Sequence, residues 1–92
     1  MRRAAKVDGN HAAIKSALEK VGAVVTDLSG NGNGVPDLLV MFRNMFFMLE
    51  IKSATGKLND LQTKWFAKHK NARAYVVRSA EEAIAAITHP EG

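Results

Sequence analysis

The sequence predicts an α/β fold with elements in the order α-β-β-β-α-β-α. Three observations carry this. Two apolar runs, Asp37 to Phe42 and Met45 to Lys52, are separated only by Arg43-Asn44 and read as a hairpin. Helical stripes lie on both flanks: Ile14, Ala17, Leu18 and Val21, at the i, i+3, i+4, i+7 spacing, on one side, and Ala83, Ile84 and Ile87 on the other. The hydrophobic fraction is 47% over 92 residues, which gives one domain, residues 1–92, with a small but adequate core.

Taken in order, Met1 to Gly9 is a basic lead-in. Asp8 or Asn10 caps a first helix that runs to about Val21, and Gly22 ends it. Ala23 to Leu28 is short and β-branched, a strand. Ser29 to Gly34 holds three glycines and two asparagines and must be loop. Pro36 opens the second strand, where a missing N–H is tolerated. The hairpin strands are apolar on both faces away from their acidic ends, so they are expected to be central and covered on each side. Ser53 to Lys57 is loop. Asn59 begins a helix to about Lys70, expected to bury Leu58, Leu61, Trp65 and Phe66. Arg73 to Val77 is a fourth strand. Ser79 to Thr88 is the last helix, with Ser79 and Glu82 as a capping box and Pro90 beyond its end.

The hairpin also places charge. With Arg43-Asn44 as a two-residue turn, Phe42 faces Met45, Val40 faces Phe47 and Asp37 faces Glu50. A four-residue loop, Phe42 to Met45, keeps the same pairing, whereas a three- or five-residue loop would put the acids on opposite faces. Directly opposed side chains lie about 5 Å apart, where like charges are destabilising. Lys52, two residues beyond Glu50, projects from the same face. Two opposed carboxylates and a lysine on a greasy hairpin weaken a fold but suit a divalent cation. The bland alternative is a surface acid at each strand end with Lys52 as a solvated partner. It accounts for each charge but not for their convergence.

Composition excludes several classes. No apolar run reaches the ~18 residues of a membrane span, and Met1-Arg-Arg-Ala-Ala-Lys is too polar for a signal peptide. Without cysteine there is no disulfide framework and no thiolate site, as fits an intracellular, cytoplasmic protein. The formal charge of +4 and pI of about 9.7 permit a polyanionic partner. The glycine-rich loop lacks the Lys-Ser/Thr of a P-loop and precedes a strand, so no nucleotide cofactor is expected. His11, His69 and His89 have no metal-ligand spacing.

Pro36-Asp37 ahead of Glu50-x-Lys52, within this element order, resembles the PD-(D/E)xK nuclease superfamily. The likeness extends further. Gly34-Val-Pro-Asp-Leu-Leu-Val40, Leu49-Glu-Ile-Lys52, Lys57-Leu-Asn-Asp-Leu-Gln62 with Trp65, and Val76-Val-Arg-Ser-Ala-Glu-Glu82 resemble small stand-alone VRR-NUC domains, many of them phage-encoded. Asp8-Gly-Asn-His-Ala-Ala-Ile14 is similar to the opening of the phage-type subgroup, which points to a phage or bacterial origin. The resemblance spans about residues 6–87. It implies a restriction-endonuclease-like core, a mixed four-stranded sheet flanked by helices. It also implies metal-dependent hydrolysis of DNA, with branched DNA such as four-way junctions as substrate; the alternatives are an endonuclease on flap, nicked or plain duplex DNA, or a non-catalytic nucleic-acid-binding module on the nuclease fold.

On that reading Asp37 and Glu50 bind Mg²⁺, with Mn²⁺ able to substitute, and the Ile51 carbonyl supplies a third oxygen. Mg²⁺ keeps several waters, so two carboxylates suffice. Lys52 orients water or stabilises the phosphate. Gln62 stands at the position where it caps a helix start, and the resemblance also places it near the active site; both roles are open. Family members often carry a Glu near the start of the first helix, where this chain has Ala12 and Ala13. Asp8, Asn10 and His11 are the nearest polar candidates for an outer metal site, and Glu19 reads as a surface charge. For DNA contacts the candidates are the loop residues Ser29, Asn31 and Asn33, which otherwise form a plain mobile loop. Lys57, Lys64 and Lys68 join them, or else belong to a solvated helix face. A homodimer is expected, because one small domain offers one site while a four-way junction needs two symmetry-related cuts.

Overall fold

The structure, a computed structural model, describes residues 9–89. Its elements follow the expected order: α1 (Gly9–Lys20), β1 (Val24–Asp27), β2 (Leu38–Phe42), β3 (Met45–Ile51), α2 (Asp60–Lys68), β4 (Ala74–Val77) and α3 (Ala80–Thr88). The four strands form one mixed sheet in the order β1-β2-β3-β4, with β1–β2 and β2–β3 antiparallel and β3–β4 parallel. The parallel pair requires a crossover, and α2 lies within it.

The hairpin register is the one the sequence predicts: Phe42 pairs with Met45, Val40 with Phe47 and Leu38 with Leu49. Arg43 and Asn44 both adopt left-handed backbone, φ +52° and +65°. This is the primed two-residue turn whose twist matches the strands, reached here without the usual glycine. The Arg43 guanidinium lies over the Phe42 ring, 4.8 Å from its centroid.

Strand alternation divides the hairpin into two faces. Leu38, Val40, Phe47, Leu49 and Ile51 point to one and are buried there with Val77. α1 and α3 cover that face through Ile14, Leu18, Ala83 and Ile87. Each large side chain removed from water in this core contributes about 1.5–3 kcal/mol.

The opposite face differs from expectation. It is not covered along its length: Val24, Met41 and Phe46, cross-strand neighbours on β1, β2 and β3, are 57%, 38% and 58% exposed. The apolar pattern on both faces shows that these residues are sheet-compatible, not that a helix covers them. The helix that approaches this face, α2, has no buried residue, and Leu61 is 54% exposed. Trp65 and Phe66, expected in the core, are half-buried. Trp65 stacks on His69 at 4.0 Å and meets Phe66 edge-on at 5.3 Å, so these rings pack laterally on their own helix. Val21 falls past the end of α1 and is exposed.

Both later helices are capped by side chains. Asn59 and Gln62 form a complete capping box at α2. At α3 the Glu82 amide donates to Ser79 Oγ (3.1 Å), but the Glu82 carboxylate accepts from the Arg78 amide (2.7 Å) instead of closing the box on Ser79. Among the described residues no helix is long and apolar enough to cross a membrane.

Candidate active site

Pro36 has no N–H to give, and the β2 ladder begins only at Leu38. Asp37 therefore stands just before the ladder. Its main-chain carbonyl accepts from the Leu28 amide (2.7 Å), and its side chain does what a strand carbonyl would otherwise do: the Ile51 amide donates to Asp37 Oδ2 at 2.8 Å. This bond fixes Asp37 against the end of β3.

Glu50 is one residue earlier on β3 and points to the face opposite the helical core, yet it is only 2% exposed. Gln62 Nε2 donates to Glu50 Oε2 at 3.1 Å, and Lys52 Nζ lies 3.7 Å from the same oxygen. Glu50 Oε1 is buried without a hydrogen-bond partner. Burial raises the Glu50 pKa from 4.5 to about 7; the Asp37 charge adds to the rise and Lys52 opposes it.

Gln62 makes two sets of bonds at once. Its Oε1 accepts from the Asn59 amide (2.9 Å) as part of the capping box, while its Nε2 reaches Glu50. The start of α2 is brought close by Gly34. There the chain is left-handed (φ +82°), and a Cβ would collide with the Leu61 main-chain carbonyl.

The structure thus brings together Asp37, Glu50, Ile51, Lys52 and Gln62. The first-helix candidates behave otherwise. Asp8 lies outside the described residues. Asn10 turns its amide to main-chain carbonyls, donating from Nδ2 to Lys52 O (3.3 Å) and Arg78 O (3.2 Å). His11 is buried, its Nε2 3.2 Å from Asp27 Oδ2. The Ser29 hydroxyl and amide, both on Asp27 Oδ1, hold the Asp27 carboxyl below its usual pKa, with His11 reinforcing them. Among the described residues no three His, Cys, Asp or Glu side chains converge as a metal cluster.

Of the loop candidates, Ser29 is engaged with Asp27, and Asn31 returns its amide and side chain to the Leu28 carbonyl. Asn33 is exposed in left-handed backbone. Lys57, Lys64 and Lys68 are all exposed.

Sequence reasoning missed Arg78, whose Nη1 donates to the Ser53 carbonyl (2.6 Å) and the Gly56 carbonyl (2.7 Å). It also missed the direction of the Asn10 amide, since an Asn at a helix start reads first as a cap. No local pattern announces either set of bonds, because the partners are 22 to 68 residues away.

An α/β sheet with paired acids, a lysine and a glutamine at one end is a nuclease-type fold of the PD-(D/E)xK kind. Comparison makes the family explicit. The family model described as the VRR-NUC domain matches residues 5–81, and the chain belongs to that family. A solved structure titled "VRR_NUC domain" is 28% identical, with a TM-score of 0.70, over 85% of this chain and 89% of that one. No functionally curated protein matches the sequence.

The residues present fit a hard divalent cation. Glu50 Oε1 is a buried carboxylate oxygen with no protein donor, beside a second carboxylate. Leaving such an atom unpaired is costly, and an oxygen-seeking ion removes the penalty.

Proposed function

We propose that this protein is a Mg²⁺-dependent endonuclease that hydrolyses phosphodiester bonds in DNA, that it acts on four-way junctions and that it works as a homodimer. The observation that carries the proposal is the buried Glu50 carboxylate, with one oxygen unpartnered, set beside Asp37 and Lys52.

In this reading Asp37 and Glu50 hold the ion, with the Ile51 carbonyl as a further oxygen. When bound, Mg²⁺ supplies charge neutralisation at the phosphate and activation of water. The chain's own residues do the rest. The Ile51 amide fixes the Asp37 carboxylate, and the Gln62 amide fixes that of Glu50. Lys52 presents its ammonium on the same face, where it stabilises the negative charge that builds on the non-bridging phosphate oxygens. A water oxygen bonds to phosphorus as a phosphorus–sugar oxygen bond breaks, and a proton passes to the departing oxygen. Lys57, Lys64 and Lys68 supply exposed positive charge for the DNA backbone.

Support for a dimer comes from the exposed row Val24–Met41–Phe46, a contiguous apolar strip on the uncovered sheet face. A twofold dimer would present two sites to a junction that must be cut twice.

The test is a cleavage panel of four-way junction, flap, nicked and linear duplex DNA with Mg²⁺, Mn²⁺ or EDTA. Metal-dependent cutting that favours the junction is expected. Equal cutting of linear duplex removes the junction preference and favours a general nuclease. Absence of cutting on every substrate removes the enzyme and favours a DNA-binding module.

A further inference from the structure

We propose that Asn10 is a positioning residue for Lys52 and that Arg78 works with it; the proposal rests on the nuclease reading above. The two parallel strands β3 and β4 end together. Their last shared bond runs from the Lys52 amide to the Val77 carbonyl, 3.0 Å. Beyond it the carbonyls of Lys52 and Arg78 have left the ladder, and main-chain carbonyls in a part-buried position need donors. Asn10 provides them. A carboxamide nitrogen carries two hydrogens, and Asn10 Nδ2 lies within hydrogen-bond distance of both carbonyls, 3.3 and 3.2 Å. The first helix thus acts as a staple across the ends of two strands.

Arg78 secures the chain on the far side of Lys52. Its Nη1 holds the carbonyls of Ser53 and Gly56, which fixes the loop that leaves β3. Lys52 is therefore held at its amide by Val77, at its carbonyl by Asn10 and through the following loop by Arg78. A lysine side chain has four rotatable bonds and large rotamer freedom. Its ammonium keeps a place 3.7 Å from Glu50 only if the backbone it grows from is fixed. The amide on the first helix thus acts on the backbone from which the Lys52 side chain grows.

Two readouts test this. The first is single-turnover junction cleavage beside DNA affinity. Asn10→Ala, and the near-isosteric Asn10→Asp, which lacks the donors, should slow cleavage by about tenfold to a hundredfold, the scale of a misplaced catalytic group. DNA binding should be unchanged. In a Lys52→Ala background the same changes should cost no further rate, because the residues act as one unit. Equal slowing in both backgrounds, or a wild-type rate in Asn10→Ala, overturns the proposal. Arg78→Lys perturbs the far side of the clamp and provides the same comparison if the Asn10 variants fail to fold.

The second readout needs no activity. Side-chain NMR relaxation of the Lys52 methylenes should show restraint in the wild-type protein and mobility like that of Lys64 in the variant. Equal restraint in both overturns the clamp. A wild-type protein that cuts nothing would sink the nuclease reading, while the NMR comparison would still decide whether Asn10 holds Lys52.

Discussion

Glu50→Gln should stabilise the metal-free protein, and by an amount that depends on pH. The Glu50 carboxyl titrates near 4.5 when unfolded and near 7 in the fold, chiefly because it is buried. A raised acid favours its protonated form in the native state. The native protein is therefore least penalised below pH 4.5, loses stability as pH rises from 4.5 to 7, and carries the full penalty above 7. A shift of this size corresponds to about 3 kcal/mol. The amide retains an oxygen to accept the Gln62 bond and removes the charge. In EDTA, urea unfolding should show the variant more stable than wild type by about 3 kcal/mol at pH 8, with most of the gain gone at pH 4.5. Adding Mg²⁺ at pH 8 should then stabilise the wild type and leave the variant little changed, since only a native-state ligand shifts the equilibrium. Parallel pH profiles for the two proteins in EDTA would refute the argument, because they would mean that the folded Glu50 titrates where the unfolded one does.

Asp37→Ala should abolish cleavage while the protein remains folded, as judged by circular dichroism; retained cutting would take Asp37 out of the site. Lys52→Ala should keep Mn²⁺ affinity by calorimetry and lose most single-turnover rate. Gly34→Ala should destabilise by roughly 2 kcal/mol or more, because a left-handed residue gains a Cβ that collides with the Leu61 carbonyl; thermal melting measures it. Light scattering should report a dimer at micromolar concentration, and Phe46→Ser should shift it towards monomer while the circular dichroism spectrum stays native, since Phe46 is mostly exposed in the single chain.

The hairpin was legible because counting alone fixes an antiparallel register. Once Phe42 faces Met45, counting carries the register back to Leu38 opposite Leu49, where the observed ladder ends, and sets Asp37 and Glu50 one step beyond, with Lys52 following by alternation. Gln62 was legible as a cap from its spacing to Asn59, and its second bond to Glu50 could be anticipated only through family likeness. The open sheet face was not legible. Met41 and Phe46 have the same residue chemistry as Val40 and Phe47, and only the placement of the helices makes one pair surface and the other core. Trp65 and Phe66 misled for a related reason: large aromatics signal packing, but not against what. Asn10 and Arg78 escaped because their partners are main-chain carbonyls, which every residue type carries and no sequence pattern marks.

The way α2 is attached has a consequence for how the protein unfolds in part. No side chain of this helix is buried, and its ties to the sheet are concentrated in its first turn, at Gln62 and against Gly34. α1 and α3, by contrast, are anchored through Ile14, Leu18, Ala83 and Ile87. Native-state openings should therefore begin at the far end of α2, near Lys68 and His69, and reach Glu50 last. Each such opening would carry exposed lysines away from the sheet while the carboxylate pair stays assembled, so the reach of the positive arm and the integrity of the candidate site are governed by separate free energies.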